Sequence, residues 1–114
     1  RIRYGNNEPM VLERCFFPHA LFAGIEHFDL ENQSLYHIWM EEYGVVFGKM
    51  RQALEPVAAT EFEARALDIP VGFLLMLVER ISYNREGVPV EYAKDVHRGD
   101  KSRFVAELNI NISS

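Results

Sequence analysis

Two β-rich runs separated by a short polar segment constrain the fold of this chain most strongly. Residues 73–83 form the first run, residues 84–87 form the polar segment, and the second run starts at Val88. Gly87 suits the left-handed backbone conformation that closes a hairpin built on a type I turn. Because the first run is apolar on both faces through Val78, it is typical of an interior strand that is covered on both sides.

The second run alternates between apolar and polar side chains. Alternation predicts that one face carries Val88, Val90, Tyr92 and Val96, and that the other carries Glu91, Ala93, Asp95 and His97. A strand face with two acids and an imidazole needs water, ion-pair partners or a ligand. This face is therefore a candidate binding surface.

Composition restricts the classes of protein to consider. With 114 residues, 48% hydrophobic and 25% charged, the chain is expected to form one soluble domain. The net charge of −5, without a concentration of Lys and Arg, disfavours direct DNA binding by this chain. The single Cys15 excludes an intrachain disulfide and favours a reducing cytoplasm.

Targeting and membrane signals are not evident in the sequence. The longest apolar run, residues 73–78, is far shorter than the roughly 20 residues of a membrane-spanning helix. We therefore expect a cytoplasmic protein without membrane contact. The chain opens on strand-like sequence without an initiator Met, which indicates a piece of a longer protein.

A second hairpin is predicted at the start of the chain, where residues 5–8 separate the strand candidates 1–4 and 9–17. A loop with an odd number of residues would place Arg1 opposite Glu13 and Arg3 opposite Val11, whereas an even loop would place Arg3 opposite Met10. We favour the odd loop, because Arg1, Arg3 and Glu13 then share one face.

The other elements follow from capping residues and periodicity. One short helical turn is expected over residues 18–24, and a three-turn helix from an N-cap at Ser34 to Gly44. Residues 45–58 are extended, and a capping box of Thr60 and Glu63 opens a helix expected to bury Phe62, Ala66 and Leu67. Residues 104–112 alternate between two sets of side chains, one of them apolar, as a closing strand would. This order predicts an α+β fold, an antiparallel β-sheet with helices packed on it.

Catalytic and metal sites find little support in the sequence. No two His residues have metal-ligand spacing, so we expect neither a metal nor a cofactor. Cys15 is predicted to be a core residue whose pKa is raised by its apolar neighbours. Ser34 has no nucleophile motif around it and is more simply a helix cap.

The sequence gives more support to an anion-binding site than to a catalytic or metal site. Arg1 and Arg3 are about 7 Å apart along a strand and could hold a phosphate or carboxylate, although spacing alone favours two surface cations. Ser34 offers a hydroxyl and free backbone N–H groups at a helix start. Glu13 and Glu91 could accept hydrogen bonds from a ligand's hydroxyls or amine, or could instead pair with surface arginines.

His97 could contact the same ligand or could be a partly exposed strand residue. A straight strand separates Glu91 from His97 by roughly 20 Å. Both can therefore touch one small molecule only if the strand bends or His97 lies on a loop that folds back.

Several segments resemble those of a known family. Leu-Val-Glu-Arg (77–80), Gly-Val-Pro-Val-Glu-Tyr (87–92) and His-Arg-Gly-Asp-Lys-Ser-Arg-Phe (97–104) are similar to the C-terminal signature of the UTRA domain. This domain is the effector-binding module of GntR-superfamily regulators of the HutC subfamily. Further matching segments at 1–3, 12–14, 34–36 and 55–59 extend the resemblance over nearly the whole chain. We therefore expect residues 1–114 to form a single UTRA domain.

The resemblance implies specific roles for the site residues. Family members that sense phosphorylated sugars hold the phosphate with an Arg-x-Arg pair and a helix-start Ser, which Arg1, Arg3 and Ser34 match. Glu13 and Glu91 match the two acids that hold the sugar ring. His97 stands where Tyr is usual, and other members sense compounds without phosphate, such as urocanate.

The resemblance also implies a chorismate-lyase-like fold and a regulatory function. A small anionic effector would bind the sheet face and alter a homodimer, and DNA would be bound only by a winged helix-turn-helix domain that is not in this chain. Two alternatives remain open. The chain could be a chorismate-lyase-like enzyme acting on an aromatic carboxylate, or a dimerisation module that binds no ligand.

Overall fold

A five-stranded antiparallel sheet forms the centre of the computed structural model, which describes residues 1–30 and 33–110. The strand order across the sheet is β1-β2-β5-β4-β3. The strands are β1 (Ile2–Gly5), β2 (Glu8–Phe16), β3 (Phe47–Ala58), β4 (Leu74–Asn84) and β5 (Pro89–Arg98), with α1 (Leu35–Tyr43) between β2 and β3 and α2 (Glu61–Leu67) between β3 and β4. This architecture confirms the predicted α+β class.

The β4–β5 hairpin closes as the sequence predicts. Gly87 adopts a φ of 83°, in the left-handed region that glycine tolerates without a steric penalty. The side-chain oxygen of Asn84 accepts hydrogen bonds from the backbone N–H groups of Glu86 at 3.0 Å and Val88 at 2.9 Å. Both strands are interior, because β5 pairs with β2 and β4 pairs with β3.

The β1–β2 hairpin has the register that an odd loop predicts. Arg3 pairs with Val11, and the backbone N–H of Glu13 donates to the carbonyl of Arg1 at 2.8 Å. The turn itself is shorter than expected, with Asn6 and Asn7 both at positive φ. A register irregularity between Arg3 and Tyr4 reconciles this tight turn with the predicted pairing.

The two helices cover opposite faces of the sheet. Helix α1 packs Ile38 and Trp39 into an aromatic cluster over one face, and helix α2 packs Ala64 and Leu67 against the other. The first cluster also contains Phe22, Ile25 and Val90, and the second contains Leu12, Ala59, Leu75, Leu77 and Val96. The face under α1 is the one that carries the candidate site.

Both predicted helix starts are correct in position. Thr60 and Glu63 form the full capping box, with hydrogen bonds of 3.0 and 3.2 Å between their side chains and backbone N–H groups. Ser34 precedes α1, but its side chain makes no capping hydrogen bond. Gly44 ends α1 in the left-handed conformation.

Two expectations about packing are wrong. Phe62 is 60% exposed, because α2 turns Ala64 and Leu67 toward the sheet instead. Val90 joins the cluster under α1, not the face of Val96, since the register shifts by a residue near Ser82.

The short helical turn expected over 18–24 is present as the 3₁₀ turn His19–Leu21, and a second 3₁₀ turn, Ile25–His27, follows it. The expected closing strand, in contrast, is wrong. Residues 104–110 form no strand, although they alternate, and the rest of that prediction, 111–112, lies outside the described residues. Within the described part of the chain, no helix is long and apolar enough to cross a membrane.

Candidate functional site

A cavity of about 350 Å³ lies on the sheet face under α1, in the size range of small-molecule sites. Five of the six predicted site residues line it: Arg1, Arg3, Glu13, Ser34 and Glu91. The remaining lining residues are Cys15, Leu30, Leu35, Tyr36, Arg80, Ala93 and Asp95. The structure therefore places Arg3 and Glu91 on the same side of the sheet.

Strand pairing brings these side chains together. Arg1, Glu13 and Asp95 form one row across three neighbouring strands, because Glu13 pairs with both Arg1 and Asp95. Cys15, Ala93 and Arg80 form the next row. Since alternate residues share a face, both rows point into the cavity.

The arginine end of the cavity is open to solvent. Arg3 forms an ion pair with Glu13 and is more than half exposed. The guanidinium of Arg1 has no ion-pair partner among residues 1–30 and 33–110. Ser34, at the start of α1, lines the same cavity, and its hydroxyl makes no capping bond, so the three side chains can receive an anion.

Glu91 is the buried centre of a polar network. Its side chain is 3% exposed, and its Oε1 atom accepts from Arg80 Nε at 3.2 Å, from Ser82 Oγ at 3.2 Å and from the Tyr36 hydroxyl. Burial, together with the hydrogen bond to Glu91, raises the pKa of Tyr36. Glu91 thus pairs with an arginine, as in the alternative considered from sequence, but the pair lies in the cavity wall and not on the surface.

Cys15 lines the cavity beside Glu91. Its Sγ donates to the second oxygen of Glu91, Oε2, at 3.3 Å. Burial, with the Glu91 charge adding to it, raises the pKa of the Cys15 thiol to about 12, so the thiol is protonated at neutral pH. The raised pKa agrees with the sequence prediction, whereas the partly exposed position in a cavity wall does not match a core residue.

His97 is the predicted site residue that does not line the cavity. It lies within β5, not on a loop, and pairs with Val11 in the same row as Arg3. The Phe104 ring packs edge-on against the imidazole, with ring centroids 5.1 Å apart. Burial lowers the pKa of His97 against the opposing charges of Asp95 and Glu13.

Three polar residues of the cavity escaped the sequence prediction as ligand contacts: Tyr36, Arg80 and Asp95. Asp95 had a usable signal, because strand alternation places it on the same face as Glu91. Tyr36 lies two residues after Ser34 in the first turn of α1, where its side chain reaches Glu91. No sequence pattern reveals that contact, since it depends on how α1 packs on the sheet.

Metal chemistry has no evident location in this cavity. The described residues contain no group of three or more His, Cys, Asp and Glu side chains that could hold a metal ion. The cavity instead contains three arginines and three carboxylates, two of each already paired. Such a wall is suited to binding a charged organic molecule.

Comparison with known proteins identifies the family. The family model of the UTRA domain matches residues 1–103. The chain belongs to the UTRA domain family. A UTRA domain of this kind is the effector-binding domain of a GntR-family transcription regulator, which supports the sequence interpretation.

Curated relatives of this UTRA domain are transcription regulators. It is 35% identical over 106 residues to the transcriptional repressor NagR of Bacillus subtilis, covering 92% of this chain and 43% of NagR. It is 31% identical over 106 residues to the mannosyl-D-glycerate system repressor MngR of Escherichia coli, covering 91% and 43%. The UTRA chain therefore spans less than half the length of these relatives.

Solved structures confirm the fold. The C-terminal domain of Yurk from Bacillus subtilis has a TM-score of 0.85 at 25% identity, covering 92% of this chain and 72% of that chain. A GntR-family regulator from Enterococcus faecalis has a TM-score of 0.83 at 26% identity, covering 94% and 76%. Because these neighbours are regulators, the comparison favours a binding domain over an enzyme.

Proposed function

We propose that this domain senses a small anionic metabolite, such as a sugar phosphate or an amino-sugar phosphate, and thereby alters operator binding by a cytoplasmic regulator. The observation that carries the proposal is the cavity on the sheet face, which Arg1, Arg3 and Ser34 help to line. Two guanidinium groups and a helix-start hydroxyl supply charge-assisted hydrogen bonds to an anion. The relative MngR is named as the repressor of a mannosyl-D-glycerate transport and metabolism system, which agrees with this class of ligand.

Each of the predicted site residues has a proposed role. Arg1, Arg3 and Ser34 bind the anion, while Glu13 and Glu91 orient the rest of the molecule. Glu91 acts mainly through Tyr36 and Arg80, because its Oε1 atom is already saturated by protein donors. His97 does not line the cavity; it packs against Phe104 and is not expected to bind the ligand directly.

Regulation requires a domain that contacts DNA. We propose that a winged helix-turn-helix domain upstream of residue 1 does so, since the relatives are more than twice as long as the matched segment. The effector can change operator binding only through its different affinities for two arrangements of the regulator. The cavity wall contains α1, so ligand binding can alter how α1 packs on the sheet.

We propose a homodimer as the regulatory unit. Residues 104–110 have no strand partner in the described chain, and they expose the apolar side chains Phe104, Val105, Leu108 and Ile110, with Leu108 84% exposed. The edge strand β3 offers an unpaired row of backbone groups beside the exposed side chains Met50 and Leu54. Pairing of residues 104–110 with β3 of a second copy would cover both surfaces.

Sedimentation of the parent and of Leu108→Glu tests the homodimer. A dimeric parent and a monomeric, folded variant are expected. A parent that stays monomeric at high concentration would refute the dimer.

Calorimetric titration with glucose 6-phosphate and with glucose tests the anion site. We expect the phosphorylated sugar to bind at least 100-fold more tightly, and Arg3→Ala to lose at least tenfold of that affinity. Arg85→Ala is the matched control, because Arg85 is an exposed arginine in the β4–β5 turn, outside this cavity and outside the proposed dimer edge. Binding that survives an Arg1/Arg3 double substitution would instead identify these residues as surface cations.

A further inference from the structure

The two hairpins of the sheet repeat one another. Arg-Ile-Arg-Tyr (1–4) in the first hairpin corresponds to Arg-Ile-Ser-Tyr (80–83) in the second, and in each a turn and then a Pro near the start of the return strand follow. In both hairpins the register shifts immediately before the Tyr, which then pairs with that Pro. The equivalent pairs are Tyr4 with Pro9 and Tyr83 with Pro89. The same irregularity in the same motif identifies the hairpins as two copies of one structural unit.

A local two-fold axis between β2 and β5 relates the two copies. These strands are antiparallel neighbours, with β1 on the outer side of β2 and β4 on the outer side of β5. An axis perpendicular to the sheet keeps each residue on its own face, and strand alternation places three equivalent pairs on the face that α2 covers. These pairs are Ile2 and Ile81, Leu12 and Tyr92, and Val96 and Phe16.

The outer strands of the two hairpins have different neighbours. Strand β4 is flanked by β3, where Ile81 pairs with Arg51. Strand β1 is an edge strand of the sheet, and Ile2 holds the position equivalent to Ile81. Arg1 and Glu13 exchange both backbone hydrogen bonds, so the backbone of the next residue, Ile2, points away from β2 toward the edge. This edge can therefore accept a further strand.

The face of the sheet differs between the two halves in the same way. The first member of each equivalent pair belongs to the apolar cluster around α2. The second members, Phe16, Ile81 and Tyr92, instead line a mainly apolar cavity of about 360 Å³, and Phe16 is 56% exposed. The cavity lies where the symmetry places a counterpart of α2, so its apolar wall is suited to the buried side of a helix.

Chain length agrees with an additional unit. The matched region is 72% of the C-terminal domain of Yurk, so that domain has residues beyond those matched. In the second half of this chain, residues 47–79 contain β3, α2 and the start of β4. The repeat predicts a unit of the same length before Arg1.

We propose that the chain upstream of residue 1 supplies a β–α unit whose strand pairs with the edge of β1 and whose helix covers Phe16, Ile81 and Tyr92. The occupant of this surface is thus part of the same polypeptide. Its helix lies beside α2 on the same face of the sheet. Because β1 carries Arg1 and Arg3, the docked strand connects the candidate site directly to the upstream chain.

Hydrogen–deuterium exchange of the Ile2 amide tests the strand. The 114-residue chain is compared with the same chain extended upstream by its own native sequence, over a length equal to residues 47–79. We expect the Ile2 amide to exchange at least roughly tenfold more slowly in the longer chain, because it donates to the docked strand. Amides on the outer edge of β3 are the control and should exchange equally in both chains.

Replacement of Phe16 by Ser tests the helix in thermal melts. In the 114-residue chain Phe16→Ser should lower Tm by about 2 °C or less, whereas in the longer chain the loss should be at least about 6 °C because the ring is then buried. Val71→Ser is the control, since Val71 is 63% exposed in the α2–β4 connection, away from this cavity. Its effect should be small and equal in the two chains.

Each result decides between occupants of the surface. Equal exchange of Ile2 in the two chains would overturn the docked strand, and an equal effect of Phe16→Ser would overturn the docked helix. Protection of Ile2 that rises with the concentration of the 114-residue chain would instead identify a second copy as the occupant. The sugar-phosphate titration uses the 114-residue chain alone, so the anion site stands or fails independently of these results.

Discussion

Replacement of Glu91 by Gln tests whether the buried network holds the cavity wall in place. Glu91 is 3% exposed, and its partner Arg80 keeps 22% of its side chain in contact with solvent. Removal of one partner from a buried ion pair costs about 3–5 kcal/mol, because the other charge remains desolvated. Since Arg80 retains some contact with water, we expect a loss near the lower end, about 3 kcal/mol.

A double-mutant cycle separates the ion pair from the other contacts. Arg80→Gln leaves the carboxylate with Tyr36 and Ser82 as donors, so its cost should be similar to that of Glu91→Gln. In the double variant neither charge is left alone. The combined loss should therefore be smaller than the sum by about 1–3 kcal/mol.

Urea denaturation of the four proteins measures these energies. With a slope of about 2 kcal/mol per molar urea, a loss of 3 kcal/mol lowers the unfolding midpoint by roughly 1.5 M. Arg85→Gln in the exposed β4–β5 turn is the control and should change stability by less than about 0.5 kcal/mol. Single-variant costs that add within 0.5 kcal/mol, or a Glu91→Gln protein as stable as the parent, would refute the role of the network.

Four further predictions concern packing and pH. Leu67→Ala should lower the unfolding free energy by about 2–5 kcal/mol in urea denaturation because the Leu67 side chain is fully buried, whereas Phe62→Ala should lower it by less than about 1 kcal/mol. Equal losses in the two variants would contradict the orientation of α2. Thr60→Ala removes one arm of the capping box and should lower the unfolding free energy by about 1 kcal/mol, measured the same way. Asp95→Asn should stabilise the ligand-free protein at pH 7, because the raised pKa of Asp95 means that the folded protein loses stability as the pH rises through this pKa and the carboxyl ionises. The stability gained by the substitution should shrink toward acid pH. A destabilised variant would exclude repulsion by Glu13. The lowered pKa of His97 has the opposite consequence: the parent should lose stability as pH falls below about 6.5, and His97→Gln should lose less in thermal melts across that range.

Much of the candidate site was predictable because strand alternation is a local property. Each strand sends alternate side chains to one face whatever its neighbours are, so Arg1 and Arg3 were expected to share a face. The two-residue period similarly grouped Glu91 with Asp95. The family resemblance then indicated which of these charged residues face a ligand, a distinction that spacing alone does not make.

The sequence by itself determined the hairpins, the helix starts and the side-chain parity except at Val90, because turn residues, caps and alternation act within a few residues. Only the tertiary structure decided that β2 lies beside β5, so that Glu13 meets Asp95, and that α1 delivers Tyr36 to Glu91. It also left Phe62 exposed and residues 104–110 without a strand partner. Such outcomes depend on which distant segments bury the most apolar surface together, so they are determined by the whole chain and not by local sequence.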